Sequence, residues 1–161
     1  MTALDFIRIL SSRNDIQMNF MINVLYETGA RPEEFRLFSK ANFTNDYRTV
    51  TFTTKKQRQI VTYDLTMQTG AYVNAFLNTW GNCPTVWKTY DILKRDYLYN
   101  TQAIYSTASG HEAMYYLRYC YVASRMIEGY TEEQIKSLLG HLHIETTRIY
   151  MQKAQIIIDQ M

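Results

Sequence analysis

Apolar residues recur along this chain with two different periods. Spacings of three and four residues, the mark of one helix face, dominate at both ends, while a two-residue alternation appears once near the middle. Thr2, with Asp5 three residues on, predicts a capped first helix carrying Leu4, Ile7, Ile9 and Leu10. A second helix is expected from about Asp15, with Phe20, Met21, Val24 and Leu25 as its stripe and Gly29 as its stop. Pro32 suits the first turn of a short third helix bearing Phe35, Leu37 and Phe38. Arg48 to Thr53 (RTVTFT) and Gln59 to Asp64 (QIVTYD) then alternate and are rich in β-branched residues. The polar stretch Thr54 to Arg58 between them makes a hairpin the natural reading.

Helical spacing returns afterwards. One helix is predicted from about Thr69 to Trp80, broken by Gly81 to Pro84, and another over Lys88 to Tyr99. A long helix is expected from about His111 to Glu128, ending near Gly129. Thr131 caps the next, with Gln134 completing a capping box, Ile135, Leu138 and Leu139 on its apolar side, and Gly140 at its end. A final helical stretch runs from about Glu145 to Met161. The order predicts a mainly α fold with a small antiparallel β-hairpin insert, an α+β arrangement, as one domain over residues 1–161.

Composition narrows the function classes without selecting one. The 161 residues are 47% apolar and 20% charged, ordinary for a globular domain. The net charge of +2 does not announce a nucleic-acid partner, so any such case rests on where the charges sit. Cys83 and Cys120 are the only cysteines, which fits a reducing compartment better than a disulfide scaffold. Asp5 and Arg8 interrupt the N-terminus before any signal-like apolar run develops. The uncharged stretch Leu65 to Trp87 contains too many Asn, Gln and Gly for a membrane span. A soluble, intracellular (cytoplasmic) protein with no membrane contact is expected.

Four places carry candidate chemistry. Arg31, in Thr28-Gly29-Ala30-Arg31, follows a helix-ending Gly and precedes Pro32, so flanking helices can hold its guanidinium for a phosphate. The hairpin tip Lys55-Lys56-Gln57-Arg58 offers cations that can enter a DNA groove or donate a proton. Tyr115 and Arg118 lie three apart on one helix face, with Leu117 toward the core. Last comes Leu138-Leu139-Gly140-His141, with Tyr150 nine residues beyond the His in Thr146-Thr147-Arg148-Ile149-Tyr150. Alone, each is ordinary: one solvated His, and one of 14 tyrosines, most of them packing residues. A metal site on His141 and His143 lacks a nearby carboxylate cluster, so no metal and no cofactor are expected.

Taken in order, this set resembles the catalytic domain of the tyrosine recombinases, which include phage integrases. The resemblance covers nearly the whole chain, and the His-plus-nine-to-Tyr spacing is its most specific part. It implies a site-specific recombinase that cuts and rejoins double-stranded DNA, working as a homo-oligomer, a tetramer on DNA. Arg31 and Arg118 would clamp the scissile phosphate, His141 would add a hydrogen bond, and Tyr150 would form a 3′-phosphotyrosyl link. A hairpin lysine would protonate the 5′-hydroxyl; Lys55 fits best, with Lys56 as the alternative. Tyr115 stands where the family usually has His or Lys, and a neutral Tyr is a poor base; His111, a turn back, is an outsider for that role. A DNA-relaxing topoisomerase, a telomere resolvase or a non-catalytic DNA-binding module of the same fold are the alternatives. The resemblance also implies that the family's N-terminal DNA-gripping domain is missing here. The helix over about 151–161 is expected to dock either on a neighbouring protomer or on its own domain.

Overall fold

The computed structural model describes residues 16–80 and 110–159. The expected helices at Thr2–Leu10 and Lys88–Tyr99, the break at Gly81–Pro84 and Cys83 lie outside the described residues. The observed elements are α1 (Ile16–Thr28), α2 (Pro32–Phe35), β1 (Thr49–Thr53), β2 (Ile60–Asp64), α3 (Met67–Trp80), α4 (Gly110–Ile127), α5 (Glu132–Leu139) and α6 (Ile144–Asp159). A single 3-10 turn, Lys40–Asn42, lies between α2 and β1. The mainly α arrangement with a hairpin insert is therefore observed, with element boundaries within two residues of the periodic patterns except at α2, which stops at Phe35 instead of carrying Leu37 and Phe38.

The hairpin shows how alternation sets a face. β1 and β2 pair antiparallel from Thr49 opposite Asp64 to Thr53 opposite Ile60. Val50, Phe52, Val61 and Tyr63 point inward, while Thr51 and Thr62 face outward with their hydroxyls 3.0 Å apart. Regular pairing stops at Thr53. Beyond it the tip is closed by Thr54 N–H donating to the Gln59 carbonyl and Arg58 N–H to the Thr54 carbonyl.

Inward residues meet an aromatic core. Phe20 of α1 stacks on Phe76 of α3 at 4.2 Å and leans on Phe35 at 5.4 Å, and Phe38 packs on Phe52 at 4.9 Å. Leu37, expected beside Phe35 and Phe38, is 60% exposed instead. The helix ends at Phe35, so the chain turns before Leu37 and carries it to the outer side. α6 packs on α4 and α5, burying Ala154 and Ile157 against its own domain. Thr131 caps α5 as expected, its Oγ1 accepting from Gln134 N–H while its own N–H donates to Gln134 Oε1. Gly140 closes that helix at φ +67°, in the left-handed region that a turn into His141 requires. No helix among the described residues is long and apolar enough to cross a membrane.

Candidate active site

The site begins where α1 stops. Gly29 adopts φ +64°, and the Tyr121 ring packs where any Cβ would project, 2.4 Å away. That close approach brings α4 against the turn, and Arg118 Nη1 donates to the Gly29 carbonyl. Two residues on, Arg31 is extended at φ −68° and ψ 147° as it enters α2. Its side chain is only 2% exposed, and Arg118 is 3% exposed.

Burying two guanidinium groups needs compensation. Glu34, itself buried, supplies it for Arg31: Oε1 accepts from the Arg31 backbone N–H at 2.7 Å, and Oε2 from Nη1 at 3.3 Å. Oε2 also accepts from the Lys55 backbone N–H at 2.9 Å, so one carboxylate ties the arginine to the root of the hairpin tip. Glu34 is not among the residues that the motifs single out. Its signal is local: three residues after Arg31, it occupies the helix-start position from which a carboxylate reaches back to a backbone N–H.

Arg118 has a different partner. Its Nη2 lies 3.2 Å from His141 Nε2. Arginine only donates, so Nε2 is the acceptor, and the imidazole proton sits on Nδ1, donating to Thr147 Oγ1 at 2.9 Å. His141 is therefore held neutral. Burial first, and then the charges of Arg118, Arg31 and Lys56, lower its pKa to about 3. Far from a solvated turn residue, His141 is 5% exposed and orients the second arginine. Burial also lowers the pKa of Arg118 from the usual arginine value. The Nε atoms of Arg31 and Arg118, like that of Arg125, are buried with no hydrogen-bond partner among the described residues.

Tyr150 lies against this pair. Its half-buried ring lies 4.7 Å from the Arg118 guanidinium carbon, 5.3 Å from the His141 ring and 5.5 Å from the Tyr119 ring. A cavity of about 290 Å³ opens beside it, lined among others by Arg31, Lys56, Gln57, Tyr119 and Lys153. Gln57 fixes the hairpin across this cavity by accepting the Leu142 backbone N–H on Oε1 at 3.0 Å.

Of the two candidate lysines, Lys56 lines the cavity with Tyr150 and Arg31, and its charge acts on His141. Lys55 lines a separate groove with Glu34, Phe38, Phe52 and Arg58. Strand alternation does not extend to these positions, because pairing has ended at Thr53. Tyr115 donates its hydroxyl to Glu33 Oε2 at 2.7 Å. Burial, followed by that carboxylate, raises its pKa well above the usual tyrosine value. Its single hydroxyl hydrogen is thus committed to Glu33. Arg31, Arg118, His141 and Tyr150 are brought together, Lys56 faces them, and Lys55 does not. Gln57 joins the site from the hairpin tip, and Thr147 and Lys153 join it with no linear signal of their own.

Neither the family models nor the curated proteins searched yield a match to this chain. Solved structures do. A crystal structure of XerA recombinase superimposes with a TM-score of 0.69 at 18% identity, covering 98% of this chain and 60% of that one. A structure of the Tn1549 transposon integrase in complex with transposon right end DNA gives a TM-score of 0.65 at 10% identity, covering 98% and 63%. The chain thus spans about three fifths of the length of either neighbour. At these identities the likeness is one of architecture, and it agrees with the resemblance read from the motifs: this chain has the fold of the tyrosine recombinase catalytic domain.

Proposed function

We propose that this chain is the catalytic domain of a site-specific DNA recombinase or integrase, cutting and rejoining DNA through a covalent link at Tyr150. The observation that carries this reading is the pair of buried arginines. Each keeps an Nε donor with no partner among the described residues, and Tyr150 lies against one of them at the edge of a cation-lined cavity. Buried, unmatched guanidinium donors are costly unless an anion completes them, and a phosphodiester offers planar pairs of oxygens for that purpose. The bound DNA of the Tn1549 integrase supports the choice of DNA over other phosphate carriers.

In the proposed reaction the Tyr150 Oη attacks the scissile phosphorus. Arg31 and Arg118 take up the charge that builds on the non-bridging oxygens in the pentacoordinate transition state. The P–O5′ bond breaks, and the leaving oxygen takes a proton from Lys56. The phenol proton of Tyr150 passes to water, because Tyr115 stays neutral and donates its own hydrogen to Glu33. His141 acts through Arg118, as an acceptor that holds the guanidinium in place. A 3′-phosphotyrosyl bond results; the 5′-hydroxyl reverses each step to rejoin the strand, so no ATP is needed.

A nicked duplex that loses its short 5′-hydroxyl fragment on cleavage tests the reading. The chain should form a denaturant-resistant DNA adduct that vanishes in Tyr150→Phe. An adduct that persists in that variant, or that requires added metal, would overturn it.

A further inference from the structure

Several cationic side chains meet at the cavity beside Tyr150. Arg31, Lys56 and Lys153 line it, Arg118 lies against the Tyr150 ring, and none of the described lining residues is a carboxylate. Glu34 pairs with Arg31, and Lys56 and Lys153 stand on the same cavity walls. Lys153 stands three residues beyond Tyr150 on α6, so the two rise from the same face of that helix. Neither the motif set nor the clamp described above uses it.

Its geometry is specific. Lys153 Nζ lies 3.3 Å from Tyr119 Oη and 5.1 Å from the centre of the Tyr119 ring. An ammonium only donates, so the Tyr119 oxygen is the acceptor of that bond. The Tyr119 hydroxyl hydrogen is then directed elsewhere, and Tyr119 lines the same cavity. The result is a pair of donors, an ammonium and a phenol O–H, one aromatic ring away from the nucleophile. Both are only half-buried, so an incoming strand can reach them.

Resting on the strand-cleavage reading, we propose that Lys153 and Tyr119 bind the phosphate flanking the scissile one on the cleaved strand. The pair would set the register of the strand, so that the scissile phosphorus and not its neighbour meets Tyr150. Lys153 acts here as a point charge on the backbone, and it contributes affinity and position without reading base sequence. It is a binding and positioning residue, outside the bond-making step.

The test uses DNA binding in the Tyr150→Phe background, where cleavage does not intervene. Affinity for an intact duplex is measured by fluorescence anisotropy across a salt series. Lys153→Gln should weaken binding several-fold and flatten the log–log salt slope by about 0.9, the increment that one neutralised phosphate adds to the slope. Next, each flanking phosphate is replaced by a neutral methylphosphonate. At one of these positions the parent should lose affinity, while Lys153→Gln binds the native and neutral duplexes equally. Lys153→Arg should keep both the slope and the sensitivity. An unchanged slope, or equal methylphosphonate losses in parent and Lys153→Gln, would overturn the proposal and leave Lys153 as packing on Tyr119. The two readings fail separately. If the chain with Tyr150 intact forms no DNA adduct while Lys153→Gln still flattens the slope, the phosphate site stands and the cleavage reading falls.

Discussion

Glu34→Gln is the substitution that most directly probes how the clamp is held. The carboxylate accepts three hydrogen bonds, from Arg31 N–H, Arg31 Nη1 and Lys55 N–H, and Glu34 is only 3% exposed. Glutamine has nearly the same shape but one oxygen fewer. With its NH2 at the Oε2 position it faces two donors; turned over, it faces the Arg31 N–H. Either way at least one buried donor is left unmatched, at about 1–3 kcal/mol each. The Arg31 charge is also stripped of its counter-charge, and breaking a buried ion pair costs about 3–5 kcal/mol. The two figures overlap, so the expected loss is about 3–5 kcal/mol out of a domain stability of about 5–15 kcal/mol. In urea denaturation with a slope of about 2 kcal/mol/M, this moves the midpoint down by about 2 M. The exposed pair Arg125–Glu128, at 3.0 Å, provides the control: Glu128→Gln should cost no more than about 1 kcal/mol. A midpoint shift for Glu34→Gln no larger than the control's, with unchanged slope, would refute the claim that this carboxylate holds Arg31 in place.

Two further outcomes follow from the same geometry. Lys56→Ala should slow cleavage of an ordinary duplex by about 10²–10⁴-fold, the usual contribution of a general acid. A duplex with sulfur at the 5′ leaving position, which departs without a proton, should be cut at near the parent rate; if Lys55→Ala shows this pattern instead, the acid is Lys55. His141 titrates at about 3 when folded against about 6.5 when unfolded, so its contribution to stability is present above pH 6.5 and is lost as pH falls from 6.5 toward 3. Denaturation at pH 6.5 and 5.5 should show a loss of at most about 1.4 kcal/mol in the parent that His141→Gln lacks; matching losses in the two proteins would exclude the neutral-histidine assignment.

What is legible in the sequence is what propagates locally. The α1 stripe, the hairpin alternation and the Thr131 capping box each involve residues a few positions apart, and each forms as the pattern predicts. Arg31, Arg118, His141 and Tyr150 stand out because their spacing and order follow a linear pattern. Side chains at the hairpin tip do not, since alternation carries no information once pairing ends at Thr53 and the tip is oriented by Glu34 and Gln57. Thr147 is invisible for a related reason: it is one of two adjacent threonines, and only the fold turns its hydroxyl toward His141. Leu37 shows that an apolar residue beside a stripe follows the helix only as far as the helix goes.

Three of the bonds around the clamp reach far along the chain. Arg118 meets Gly29 across 89 residues, Leu142 meets Gln57 across 85, and Tyr115 meets Glu33 across 82. Pairings of such separation carry a loop-closure cost that local contacts do not, so they are expected to form after the helices and the hairpin. A nascent or partly unfolded chain therefore presents Tyr150 as an ordinary phenol, with no guanidinium beside it and no lysine opposite. The proposed capacity to break a DNA strand would then depend on completion of the fold. For the strand-cleaving chemistry proposed above, that timing would keep damaged or unfinished copies harmless.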